Sequence, residues 1–253
     1  MQNDQAKMAF AKVPEVTLLF WIMKIVATTL GETGGDTLSM SIGLGYLVST
    51  FLFAFIFIAA VYIQIKSDKF HPVYYWSTIV ATTTVGTTLA DFADRSMGVG
   101  YAGGTLFLLF LLITSFTAWY KTLGSVSINT IATPKEEAFY WMTIMFSQTL
   151  GTALGDWVAD SAGFGYIGSA VIFGSILIVL TLMYYFTKLS RTALFWMAFV
   201  LTRPLGAVLG DFLDKPIDHG GLDLSRWVVS LILLAFIAGC IYFLPQKAAE
   251  RGH

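Results

Sequence analysis

Apolar and polar positions alternate along this chain on the scale of long helices. Eight stretches of about 20 mostly apolar residues, the length a helix needs to cross a bilayer core, fall near 16–36, 43–65, 73–94, 99–120, 138–160, 164–187, 193–214 and 226–245. They are of two kinds. The second, fourth, sixth and eighth have apolar interiors free of charge, and each ends in aromatic residues followed by lysine: Tyr62 and Lys66, Trp119-Tyr120-Lys121, Tyr184-Tyr185 and Lys188, Tyr242-Phe243 and Lys247. Amphipathic rings favour the headgroup level and lysine reaches past them into water, so these ends read as membrane exits. The other four stretches carry polar residues at fixed intervals.

Those intervals are a repeat. Each copy has an aromatic-Trp pair, a polar or basic residue at plus seven, Gly at plus ten and Asp at plus fifteen: Trp21, Thr28, Gly31, Asp36; Trp76, Thr83, Gly86, Asp91; Trp141, Gln148, Gly151, Asp156; Trp196, Arg203, Gly206, Asp211. The Trp positions step by 55, 65 and 55, so the chain is a duplicated duplication, with halves 1–125 and 126–253 joined through the connection around Pro134. At about 100° per residue, offsets seven, eleven, fifteen and eighteen share one face of a helix with the Trp. The faces then stack in layers. Layer seven is Thr28, Thr83, Gln148 and Arg203, and layer eleven is Glu32, Thr87, Thr152 and Ala207. Layer fifteen is Asp36, Asp91, Asp156 and Asp211, about 22 Å from the Trp. Around offset eighteen lie Ser39, Asp94, Ala159 and Asp214, with Asp160 one position on.

Lipid does not solvate such a face, because a charge near mid-membrane costs roughly 2.5–3.5 kcal/mol even on lenient scales. The expected fold is therefore an all-α membrane protein of eight transmembrane helices in four parallel two-helix repeats. The polar odd-numbered helices form an inner ring and the apolar ones pack outside it. The glycines beside the Asp face are small-xxx-small pairs for close helix packing. The four Trp are expected as membrane-interface anchors, and Gly43-Leu44-Gly45-Tyr46, Gly98-Val99-Gly100-Tyr101 and Gly163-Phe164-Gly165-Tyr166 as tight turns.

Composition agrees with the bilayer: 56% hydrophobic, 12% charged and a mean hydropathy of +0.72. The net charge of -1 suggests no nucleic-acid partner, and the single Cys240 excludes an intrachain disulfide. Lys7, Lys12, Lys66, Lys69, Lys121, Lys135, Lys188, Arg191, Lys247 and Arg251 lie on one side of the spans, against Arg95, Lys215 and Arg226 on the other. That bias places both termini in the cytoplasm.

Four tandem two-helix repeats, each with a Trp and a Gly…Asp ending, resemble a family of bacterial integral membrane proteins, often labelled membrane-anchored, built from a repeat of unknown function. The resemblance covers about residues 16–245. It implies the bacterial inner membrane and supplies no activity, cofactor or site residue.

The site must therefore be read from its own residues. A ring of carboxylates with Thr and Gln oxygens suits a small hard cation. The expected function is a transporter or exporter of such a cation, foremost a divalent metal, with proton coupling allowed because clustered carboxylates raise one another's pKa. Asp36, Asp91, Asp156, Asp211 and Glu32 are the expected ligands, and Thr28, Thr83, Thr87, Gln148, Thr152, Asp94, Asp160 and Asp214 line the path. Arg203 is a gate or internal counter-ion, with Glu32 the expected partner, and Lys24 is a second basic group expected to reach the cytoplasmic interface. The layer-fifteen aspartates are expected one helical turn from the outer surface, within reach of water. His219 is a lone, weak candidate ligand. The alternatives are an organic-ion carrier in which Arg203 and Lys24 hold an anion, a structural or sensory bundle, and an intramembrane aspartyl enzyme. For the last, the Gly-x-Gly-Asp form is absent, as are phosphate-loop and His-Glu-x-x-His motifs. No cofactor is expected, and a homo-oligomer is compatible with the sequence.

Overall fold

The computed structural model describes residues 10–250, so Lys7 and Arg251, two of the basic residues counted for topology, lie outside the described residues. Eight long helices follow in order: α1 (Leu18–Asp36), α2 (Gly45–Lys66), α3 (Pro72–Asp91), α4 (Tyr101–Leu123), α5 (Pro134–Asp156), α6 (Gly165–Phe186), α7 (Arg191–Asp214) and α8 (Arg226–Phe243). A short strand β1 (Phe10–Pro14) pairs antiparallel with β2 (Ala248–Glu250). The helix starts follow local chemistry. The Thr17 and Ser190 hydroxyls accept from backbone N–H groups of the first turns of α1 and α7. A reciprocal Thr133–Glu136 capping box, with Pro134 in the first turn, starts α5 four residues before the apolar pattern does.

The ends of the polar helices are less regular than the sequence suggests. α1, α3 and α5 each run into a π-helical turn, at Thr37–Ser41, Phe92–Ser96 and Trp157–Ser161. The Gly-x-Gly turns follow, and both glycines of each have positive φ, as at Gly98 (φ 70) and Gly100 (φ 74). The fourth copy departs in structure as in sequence: α7 stops at Asp214 ahead of Pro216, and the turn closes at Gly220 (φ 85).

Five helices, α2, α4, α6, α7 and α8, are long and apolar enough to cross a bilayer. Of its apolar window α2 buries 11% and α7 61%, so α2 offers its surface to lipid while α7 sits inside. Phe51, Phe55, Phe110, Ile178 and Leu231 stay exposed on the outer helices, a surface that calls for a lipid environment.

The helices close into a cycle. α1 packs on α3 and α7, and α5 packs on the same two. Each apolar helix covers the polar helix of the following repeat, α2 on α3, α4 on α5 and α6 on α7, and α8 closes the circle on α1. The plus-ten glycines set this spacing. A Cβ at Gly31 would collide with Thr83, at Gly86 with Gln148, at Gly151 with Arg203 and at Gly206 with Thr28. Each glycine thus receives the layer-seven side chain of the next repeat. Gly35, Gly155 and Gly210 receive layer eleven in the same way, against Thr87, Ala207 and Glu32. Bare backbone is needed there because a full side chain already occupies the space.

The Trp end corrects one expectation. Trp76, Trp141 and Trp196 are buried and Trp21 is half-buried, so they are not lipid-facing anchors. They interlock around the cycle with the preceding aromatics: Phe20 on Trp76 (5.7 Å between ring centroids), Tyr75 on Trp141 (5.6 Å), Tyr140 on Trp196 (6.0 Å) and Phe195 on Trp21 (5.7 Å). The aromatic pair of each repeat therefore bridges two neighbours, a use that pays in packing area more than in interface position. Across this floor the strand pair ties the ends of the described chain together. Lys12 Nζ donates to Glu137 Oε1 (2.6 Å) and to the Ile65 carbonyl (2.9 Å), and Gln64 Nε2 donates to the Lys12 carbonyl (3.1 Å).

Candidate functional site

The polar stripes of α1, α3, α5 and α7 meet within one side chain of each other. Arg203 on α7 shows this directly. Its Nη2 donates to Glu32 Oε2 of α1 at 2.9 Å, Thr87 Oγ1 of α3 at 2.6 Å and Thr152 Oγ1 of α5 at 2.5 Å. One buried guanidinium thus touches the other three polar helices, and the expected Arg203–Glu32 pair is present with both partners out of solvent. Thr28 turns its hydroxyl to the carbonyls of Ile25 (2.8 Å) and Thr202 (3.2 Å), joining α1 to α7. Thr83 and Gln148 are fully buried, and their side-chain polar atoms have no hydrogen-bond partner.

Layer fifteen departs from expectation. Asp36, Asp91, Asp156 and Asp211 are all buried, at most 3% exposed, and each faces a basic side chain. Arg95 lies between Asp91 (Nε to Oδ1, 3.0 Å) and Asp156 (Nη2 to Oδ2, 3.2 Å). Lys215 lies between Asp211 (3.1 Å) and Asp36 (2.5 Å). The two bridges are one device used twice. Arg95 and Lys215 stand four residues after the Asp of repeats two and four, 120 positions apart, and each reaches the Asp of the following repeat. Arg226 adds a third cation, 3.1 Å from Asp214 and 4.0 Å from Asp36. Burial works to lower the pKa of Lys215, but the Asp211, Asp36 and Asp214 carboxylates prevail and hold it well above the usual lysine value. The acids are therefore ion-paired inside the protein rather than open to water.

In the sequence, Arg95, Lys215 and Arg226 read as topology charges only. The acid-base spacing of i,i+4 at Asp91/Arg95 and Asp211/Lys215 is the signal that points to them. Around offset eighteen, Asp94 is buried against Gly104 of α4 and Asp214 is buried beside Arg226. Asp160, expected on the path, is exposed: Ala159 takes the buried place that Ser39 and Asp94 hold in the equivalent π turns, and Asp160 stands one residue beyond it. His219 is exposed on a 3-10 turn away from the stripe.

Lys24 also departs from expectation. It does not reach an interface: it is fully buried, its Nζ has no hydrogen-bond partner, and it lies 4.2 Å from the centroid of the Phe199 ring. The long side chain is held inward by the aromatic floor below it.

Among the described residues one set of acids converges closely enough to share a cation. Oxygens of Glu32, Asp36 and Asp211 lie within 4.8 Å of one another, all three residues buried. Asp91 and Asp156 are drawn together instead through Arg95.

The model of the Repeat of Unknown Function (DUF347) family matches residues 19–70, 74–124, 139–190 and 194–246, four copies in tandem, and the chain belongs to that family. No curated protein and no solved structure matches it.

Proposed function

With four repeats of that family as the premise, we propose that the protein carries a small cation across the bacterial inner membrane. In this account all eight helices cross the bilayer with both termini cytoplasmic. The four polar helices form an inner ring that is the path, and a divalent metal is the cargo that an oxygen-only donor set fits. The observation that carries the proposal is an imbalance of charge. Asp36, Asp91, Asp94, Asp156, Asp211 and Asp214 are buried at one end of the bundle, where Arg95, Lys215 and Arg226 are their basic partners. Buried carboxylates in excess of their counter-ions must hold protons or bind another cation, because an unpaired buried charge is strongly unfavourable.

Glu32, Asp36 and Asp211 supply the converging oxygens, and Lys215 is the resident cation that an incoming ion displaces. Arg203 blocks the axis below them by holding Glu32, Thr87 and Thr152 together. Release of Lys215 or of a proton on cation entry gives a natural exchange step.

The glycine-tight packing and paired acids favour a second account, a non-transporting bundle whose ion bridges fix helix register. Uptake of radiolabelled divalent metals by expressing cells, set against a panel of organic ions, separates these possibilities. Metal uptake above the empty-vector level supports the carrier, organic-ion uptake moves the cargo class, and neither supports the passive bundle.

A further inference from the structure

We infer that Lys24, Thr83, Gln148 and the Nε edge of Arg203 form a second binding site, on the Trp side of the Arg203–Glu32 pair, that takes a small inorganic anion of halide size. Four side chains on the converging faces of α1, α3, α5 and α7 are fully buried there, yet Lys24 Nζ, Thr83 Oγ1, both polar atoms of the Gln148 amide and Arg203 Nε have no hydrogen-bond partner. Native proteins leave few such groups unfilled, and those they do leave mark a bound water, ion or ligand.

The chemistry of the set selects the ligand. Lys24 offers an amine, Arg203 an N–H, Gln148 an NH₂ and Thr83 a hydroxyl, so every unpartnered atom but the Gln148 oxygen is a donor. The neighbouring acid, Glu32, accepts from Arg203 Nη2, so its charge is already paired. A cation would meet Lys24 and Arg203 at close range. An anion would meet charge-assisted donors in a site from which bulk water is excluded. The Phe199 face beside Lys24 is compatible with a charged amine, and a bound anion would be the counter-ion that such a buried amine needs. Packing bounds the size: Gly31, Gly86 and Gly151 press backbone against Thr83, Gln148 and Arg203, so an organic ion is excluded and a monatomic one is the most the site could take.

The site stands independently of cation carriage. The test uses the full chain purified in detergent, in gluconate at fixed ionic strength, with gluconate replaced stepwise by chloride or bromide and no divalent cation present. The thermal midpoint of the wild type is expected to rise saturably by about 2–4 °C. Lys24→Met is expected to abolish the rise, and Gln148→Ala, which keeps every charge, to shift its half-saturation about tenfold to higher halide. A wild-type midpoint indifferent to halide overturns the inference, as does an unchanged titration in Gln148→Ala. Metal flux plays no part in this readout, so its failure leaves the carrier proposal standing and the reverse also holds.

Discussion

Arg203 and Glu32, 171 residues apart, lie 2.9 Å from each other at the centre of the bundle, and neither reaches solvent. Removing one partner of such a pair strands the other. Arg203→Met and Glu32→Gln should each destabilise the protein by about 3–5 kcal/mol, while the double substitution should cost clearly less than their sum. Folded yield and thermal midpoint in detergent for the three variants give the answer, and additivity would mean that the two side chains do not depend on each other.

The glycine contacts make a sharper prediction about shape. Gly206→Ala places a methyl on Thr28 and should cost about 1–3 kcal/mol through overpacking. Gly174, in α6, has open space where a Cβ would go, so Gly174→Ala should be neutral or stabilise by up to about 1 kcal/mol. Thermal unfolding of the two variants side by side checks both signs.

Much of this was legible in the sequence. The repeat, the eight helices, the common face of Trp, Thr and Asp, the packing role of the glycines and the Arg203–Glu32 partnership all follow from spacing along one chain. What was not legible depends on which helix stands beside which. Arg95 is visibly four residues from Asp91, but its reach to Asp156 needs the neighbouring helix in place. Trp76 turns inward because Phe20 of the preceding repeat offers it a ring. Lys24 stays buried because Phe199 covers it, where a snorkelling lysine would need an open way out.

The ion bridges give a test of the acid end. Lys215→Met leaves Asp36 and Asp211 without their shared cation and should destabilise by about 3–5 kcal/mol, whereas Lys215→Arg should retain most of the stability. Asp36→Asn should also cost stability, since it loses a charge-assisted contact in a buried place. The exposed Asp160→Asn should change the midpoint little. Equal losses at Asp36 and Asp160 would contradict the paired, buried arrangement.

Orientation is open to direct test. Reporter fusions after Lys66, Lys121 and Lys188 are all expected to read cytoplasmic, since parallel repeats return to the same side after each pair of helices. A periplasmic signal at any of the three would break the eight-span account.

The central claim is cation carriage through the carboxylates, and flux across a sealed membrane tests it most directly. Proteoliposomes holding the purified protein should take up at least one divalent metal saturably. Asp36→Asn and Asp211→Asn, if monodisperse, should lower that flux about tenfold, with Asp160→Asn matching the wild type. Absence of divalent flux from folded wild-type protein, or equal flux in all three variants, would contradict the account.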